Sequence, residues 1–238
     1  FGTLVVIARL AWPAQAVVAQ PPRWRQAAGD YLALTKPRII LLLLGTTAAT
    51  MIVAAGGRLP LALLAATLLG GALAAGAANA INMYWDRDVD AVMQRTRRRP
   101  VPAGRIPPGR ALSFGLLLAG SSVAILGWFV NWLSAGLAFA GILYYVLVYT
   151  IWLKRSTPQN IVIGGAAGAV PPLVGWAAVT GHVALPAVVL FALIVIGYLM
   201  FTFVLPRLTE TFKEFNTELP FLTVMIIKTV DIFSRRRH

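Results

Sequence analysis

The sequence predicts an all-α protein, a polytopic transmembrane helical bundle, on three observations. Apolar residues fill 58% of the 238 positions against 12% charged, with a mean hydropathy of +0.76, far outside the make-up of a soluble domain. Several uncharged stretches reach the roughly 20 residues that a hydrocarbon core about 30 Å thick demands of a helix. The basic residues fall in alternate connections between those stretches, the positive-inside pattern. One compact membrane domain follows, because about six spans of that length consume most of the chain.

Other classes are less well served. A net charge of +13 would suggest nucleic acid in a soluble protein, but topology accounts for it and no nucleic-acid partner is expected. The chain has no cysteine and two histidines, which excludes disulfides and thiolate sites and disfavours a histidine metal cage.

Residues 1–27 read as an apolar arm or helix remnant, interrupted by Arg9 and Pro13 and unlike a signal peptide. Arg23, Arg25, Lys36 and Arg38 precede the first span, with an X-Pro break at Lys36-Pro37. That span runs from Ile39 to Ala55 and stops at Gly56-Gly57. The second, Leu59 to Trp85, exceeds what a bilayer requires, so it carries Asp86, Asp88 and Asp90 one or two turns beyond the membrane. Seven arginines lie between Arg87 and Arg110, and Pro100, Pro102, Pro107 and Pro108 oppose a continuous helix there.

Residues 111–153 hold 43 positions without a charge, enough for two spans reversing near Asn131. Lys154 and Arg155 open a short basic connector to a fifth span, about Gln159 to Thr180, in which Gly164 and Gly168 sit at a spacing that permits close helix approach. A sixth span covers about Ala184 to Leu205. By this count the N-terminal segment, the arginine loop and the Lys154 connector share the cytoplasmic face. Residues 206–238 read as an amphipathic basic tail, with Leu208, Phe212, Phe215 and Leu219 at helical spacing.

Asn82, Asp86 and Asp90 stand at i, i+4 and i+8. Each step drifts by only about 40°, so the three line one helix face, and Asp88 falls roughly opposite Asp86. Two carboxylates and an amide suit Mg²⁺ rather than zinc, and Mg²⁺ commonly shares its ligands with substrate phosphates. Arginines and Lys154-Arg155 on the same side could meet phosphate oxygens. The same residues could instead be solvated helix-end charges or headgroup anchors.

The stretch from Asn82 through Asp86 to Asp90, NMYWDRDVD, resembles the first Asp-rich motif of the UbiA superfamily of intramembrane prenyltransferases. Its continuation AVMQRTRRRPVPAGRI, with YLALTKPRI upstream and YTIWLKRSTPQNIVIGGAAGAVPPLVGW downstream, resembles the branch of that superfamily that farnesylates protoheme IX, the heme O synthases. The resemblance covers about residues 28 to 195. It implies a UbiA-type bundle over residues 28–205, incomplete, with about six spans, in which Asn82, Asp86 and Asp90 hold Mg²⁺. Asp86, Asp90 and Lys154 would be catalytic. Asn82, Lys154 and Arg155, with Arg95, Arg99, Arg38 and Asn160, would contact the diphosphate.

The reaction so implied transfers farnesyl from farnesyl diphosphate to a vinyl group of heme b, in a bacterial inner membrane with the site loops cytoplasmic, and heme A synthase is the expected protein partner. A UbiA-type enzyme acting on an aromatic acid or quinone precursor is one alternative, and a non-catalytic membrane scaffold another. The family's second Asp-rich motif has no counterpart near Leu205. Residues 206–238 resemble instead a segment of the inner-membrane platform protein of type II secretion and type IV pilus systems, so a chimeric or truncated junction is expected near Ile196 to Met200. Glu210, Glu214 and Glu218 repeat the four-residue spacing but read first as the polar side of the tail helix.

Overall fold

The computed structural model describes residues 23–156 and 164–200. All regular structure among them is helical, as expected. Helix α1 (Arg23–Thr35) meets α2 (Pro37–Ala54) at Lys36. A proline disfavours helical backbone in the residue before it. Lys36 adopts the left-handed region, φ 56° and ψ 65°, the sole non-glycine residue with positive φ among those described. Such a conformation costs about 1–2 kcal/mol outside glycine and turns the chain sharply at the entrance to the first span.

The second span, α3 (Leu61–Trp85), gives way at Asp86 to the short α4 (Arg87–Val92). The break is slight, since Asp86 N–H still donates to Asn82 O at 2.9 Å and Asp90 N–H to Asp86 O at 2.8 Å. The three sequence-predicted side chains therefore keep their helical register across it. A run of turns follows to α5 (Pro108–Phe129), matching the proline-based expectation of no continuous helix.

The reversal falls at Asn131, as predicted, and α6 (Trp132–Leu143) continues as a π-helix over Tyr144–Leu153 and one α turn over Lys154–Ser156. A 3₁₀ turn, Ala166–Ala169, leads to α7 (Val170–Thr180), and α8 (Leu185–Leu199) ends the described part. Among the described residues, four helices have the length and composition to cross a bilayer: Pro37–Ala54, Leu61–Trp85, Pro108–Phe129 and Trp132–Leu153. Two shorter apolar helices, Ala166–Thr180 and Leu185–Gly197, stand where the fifth and sixth spans were expected. The start of the fifth expected span, the end of the sixth and the tail helix lie outside the described residues.

Without a hydrophobic drive between helices in lipid, packing of small residues has to hold the bundle. Its main core is accordingly rich in alanine: Ala74, Ala77, Ala78, Ala119, Ala135 and Ala138 surround Leu126, Ile142 and Val174. Helices α3 and α5 approach closely at Gly115, where an added Cβ would lie 2.7 Å from Ile81 Cγ1. Ser122 Oγ also donates to Gly70 O at 2.8 Å across that contact. Of the glycine pair proposed for close approach, only Gly164 is crowded, a Cβ there colliding with the Tyr149 ring, whereas Gly168 faces open space.

Asn131 closes the opposite end. Its side chain accepts from Ser134 N–H at 2.7 Å, capping α6, and donates to Ala177 O at 2.8 Å on α7. The exposed Trp128, Phe129 and Trp132 around that turn form the amphipathic belt expected at a membrane–water boundary. Asn131→Ala removes both bonds and is expected to cost about 1–2 kcal/mol, read as a lower melting temperature of the purified protein in detergent.

Candidate active site

The C-terminal ends of α3 and of the fourth span lie side by side and run in the same direction. Two rungs join them. Asn82 Nδ2 donates to Thr150 Oγ1 at 3.0 Å, and four residues further along each helix Lys154 Nζ forms an ion pair with Asp86 Oδ2. Asn82 Nδ2 also donates to Asp86 Oδ2 at 2.8 Å. The three predicted face residues are nearly sealed, with Asn82 3%, Asp86 1% and Asp90 3% exposed. The spacing argument correctly separated Asp88, which is exposed.

The arginine loop forms the third side. Arg99 Nη1 pairs with Asp90 Oδ2 at 2.7 Å, and Thr96 Oγ1 donates to Asp90 O at 3.0 Å. Apolar packing aims it: Val101 and Ile106 bury against Leu34, Ala80, Met83 and Ala111. Arg105 Nε anchors the loop to Asp30 Oδ1 on α1 at 2.9 Å. The loop is therefore a folded cover attached to α1, and Arg99 is the arginine it points inward.

Lys36 completes the cluster and was not among the sequence candidates. Its left-handed turn directs Nζ to Asn82 Oδ1 at 3.4 Å. Burial, reinforced by the nearby Arg99 and Lys154 cations and opposed by Asp90 and Asp86, lowers its pKa from 10.5 to about 8. The unfolded chain thus holds this proton more tightly than the folded one, so Lys36 lowers stability below about pH 8 and this cost disappears as pH rises toward 10.5. The melting temperature of the wild type is expected to climb relative to that of Lys36→Met across this window.

The remaining sequence candidates stand apart from this cluster or lie outside the described residues. Arg38 is exposed on the first turn of α2 and Arg95 is exposed on the loop. Arg155 continues the turn after Lys154, but its side chain, like all of Asn160, lies outside the described residues. His182 sits in the exposed connection between α7 and α8, where its Nδ1 lies 2.9 Å from Thr180 O.

Chemically, three cations, Lys36, Lys154 and Arg99, face two carboxylates. That leaves an excess of positive charge in a site closed on the membrane side by apolar helices. Oxygen donors for a divalent cation are the carboxylates of Asp86 and Asp90 and Oδ1 of Asn82. Among the described residues no three His, Cys, Asp or Glu gather into a metal cage, and Mg²⁺ commonly completes its shell with water and substrate phosphate. The arrangement suits a polyanionic group presented with its own cation.

Known proteins agree with this architecture. The profile of the UbiA prenyltransferase family matches residues 42–210. A protoheme IX farnesyltransferase of Symbiobacterium thermophilum is 61% identical over 169 residues, covering 71% of this chain and 56% of that protein. One of Synechococcus elongatus is 57% identical over 192 residues, covering 81% of this chain and 58% of that protein. The chain thus spans little more than half the length of these curated relatives. A solved structure from work on a digeranylgeranylglyceryl phosphate synthase in membranes superposes with a TM-score of 0.65 at 19% identity, covering 73% of this chain and 60% of that one, and shares the fold. With its multi-pass helical bundle and this family match over most of its length, the chain belongs to the UbiA prenyltransferase family.

Proposed function

We propose that the chain transfers a farnesyl group from farnesyl diphosphate to a vinyl group of heme b, giving heme O, with the buried cluster as its diphosphate site. The observation that carries the reading is the buried cluster in which Lys36, Lys154 and Arg99 surround Asp86, Asp90 and Asn82 at the end of a span. The 57–61% identity to proteins named protoheme IX farnesyltransferase supports the choice of acceptor and of the farnesyl group transferred.

Bond changes in such a transfer place the charge where the cluster can meet it. The C–O bond between farnesyl C1 and diphosphate breaks and diphosphate leaves, the vinyl carbon supplies the electron pair for the new C–C bond, and water adds to the cation left on the porphyrin side and releases a proton to solvent. Lys36, Lys154 and Arg99 donate to phosphate oxygens as negative charge accumulates on the leaving group. Two carboxylates one turn apart and an amide fit Mg²⁺, which takes one or two carboxylates beside phosphate oxygens. Mg²⁺ when bound supplies neutralising charge to the diphosphate. Apolar helix walls exclude water from the allylic carbon until the vinyl group attacks. The site faces the cytoplasm of a bacterial inner membrane, on the side marked by its basic loops.

The test is turnover by the detergent-solubilised chain given heme b, farnesyl diphosphate and Mg²⁺, with the porphyrin product identified by chromatography and mass. Heme O is the expected product. Farnesylation of an aromatic acid but not of heme, when both are offered, would replace the acceptor and keep the diphosphate site.

A further inference from the structure

The π-helical stretch Tyr144–Leu153 carries a feature that the reaction above does not use. In an α-helix a threonine hydroxyl commonly bonds the carbonyl four residues back, as Thr47 does with Leu43 O at 2.9 Å and Thr67 with Leu63 O at 2.8 Å. Thr150 instead donates to the carbonyl five residues back, Tyr145 O, at 2.9 Å. The backbone shows the same wider register, Lys154 N–H bonding Tyr149 O. Thr150 is fully buried, at 0% exposure.

A hydroxyl has one proton to give. With that proton committed to Tyr145 O, Thr150 Oγ1 can only accept from Asn82. It does so from Nδ2 at 3.0 Å, while the other Nδ2 proton goes to Asp86 Oδ2 at 2.8 Å. Both amide protons are then used, which leaves Oδ1 to accept from Lys36 Nζ at 3.4 Å. Without the Thr150 hydroxyl one Nδ2 proton of this buried amide loses its acceptor, and the side chain is driven to turn from this geometry to find another.

We infer that Thr150, held by the π-helical register, is a positioning residue that fixes the amide of Asn82 with its oxygen toward the cations and the diphosphate-binding side. The inference rests on the diphosphate reading of the site and adds what orients one of its members. π-Helical turns are frequent at functional sites, and here the wide turn supplies the carbonyl that takes the hydroxyl proton.

Isothermal titration of the whole purified chain with inorganic diphosphate, with and without Mg²⁺, tests this. Thr150→Val keeps the shape and removes the hydroxyl; it is expected to weaken Mg²⁺-diphosphate binding roughly 10-fold or more, as loss of a group that orients a ligand commonly does. Thr150→Ser, which keeps the hydroxyl, is expected to stay within about 2-fold of wild type. In an Asn82→Ala background Thr150→Val should have no further effect, an outcome that loss of packing alone would not give. Wild-type affinity in Thr150→Val, or an equal added loss without Asn82, overturns the inference and leaves the diphosphate site standing. No binding of diphosphate by the wild type overturns both.

Discussion

Asp86→Ala is expected to reduce prenyl transfer by about 10²–10³-fold or more, the scale seen when a group that stabilises developing charge is removed. Asp86 sits at the centre of the cluster. Its Oδ2 receives both Lys154 Nζ and Asn82 Nδ2, so its loss takes from both the carboxylate they share. Breaking a fully enclosed pair costs about 3–5 kcal/mol. Lys154, with 31% of its side chain exposed, can turn to water, and about 2–3 kcal/mol is the better expectation for stability. Asp86→Asn separates the two effects, because it keeps the shape while deleting the charge. Asp88→Ala, on the exposed side of the helix, is expected to leave turnover within about 2-fold.

Gly175→Val is expected to be the most damaging single change to the bundle itself. A Cβ at Gly175 would lie 2.7 Å from Thr47 O and 3.2 Å from both Met51 Cγ and Thr47 Cγ2. The nearest atom is backbone of α2, which cannot rotate away as a side chain would. Overpacking of this kind costs about 1–3 kcal/mol and occasionally more, and valine adds two methyls beyond that Cβ. The helices α2 and α7 must separate to admit them, which also disturbs the left-handed turn at Lys36 where α2 begins. Gly120, with nothing within 4 Å of its Cβ position, is the control: Gly120→Ala is expected to be neutral or to raise the melting temperature slightly.

What could be read from the sequence followed the physics that is local to it. Charge-free runs located the first four spans to within a few residues, because a bilayer leaves few alternatives to a helix. The i, i+4, i+8 spacing identified Asn82, Asp86 and Asp90 and set Asp88 aside, since register along one helix is a one-dimensional property. Lys36 escaped because Lys-Pro signals a break without saying where the side chain then points; its left-handed backbone directs Nζ back onto α3. Thr150 escaped for a related reason. In YYVLVYTIWL nothing in the hydrophobic pattern marks a change from α to π register, and only the neighbouring Asn82 gives its hydroxyl a role. Among the arginines of the loop, the choice of Arg99 over Arg95 depends on how Val101 and Ile106 pack against Leu34 and Met83, a contact made across distant parts of the chain.

The central claim is that the Asn82, Asp86 and Asp90 face, with Lys36, Lys154 and Arg99, binds a prenyl diphosphate together with Mg²⁺. Equilibrium binding of farnesyl diphosphate to the detergent-solubilised chain, measured across Mg²⁺ concentrations, addresses it most directly. A single site is expected, whose affinity rises with Mg²⁺, is abolished by Asp86→Ala and is retained by Asp88→Ala. Binding that ignores Mg²⁺, or that survives Asp86→Ala at wild-type strength, would contradict it.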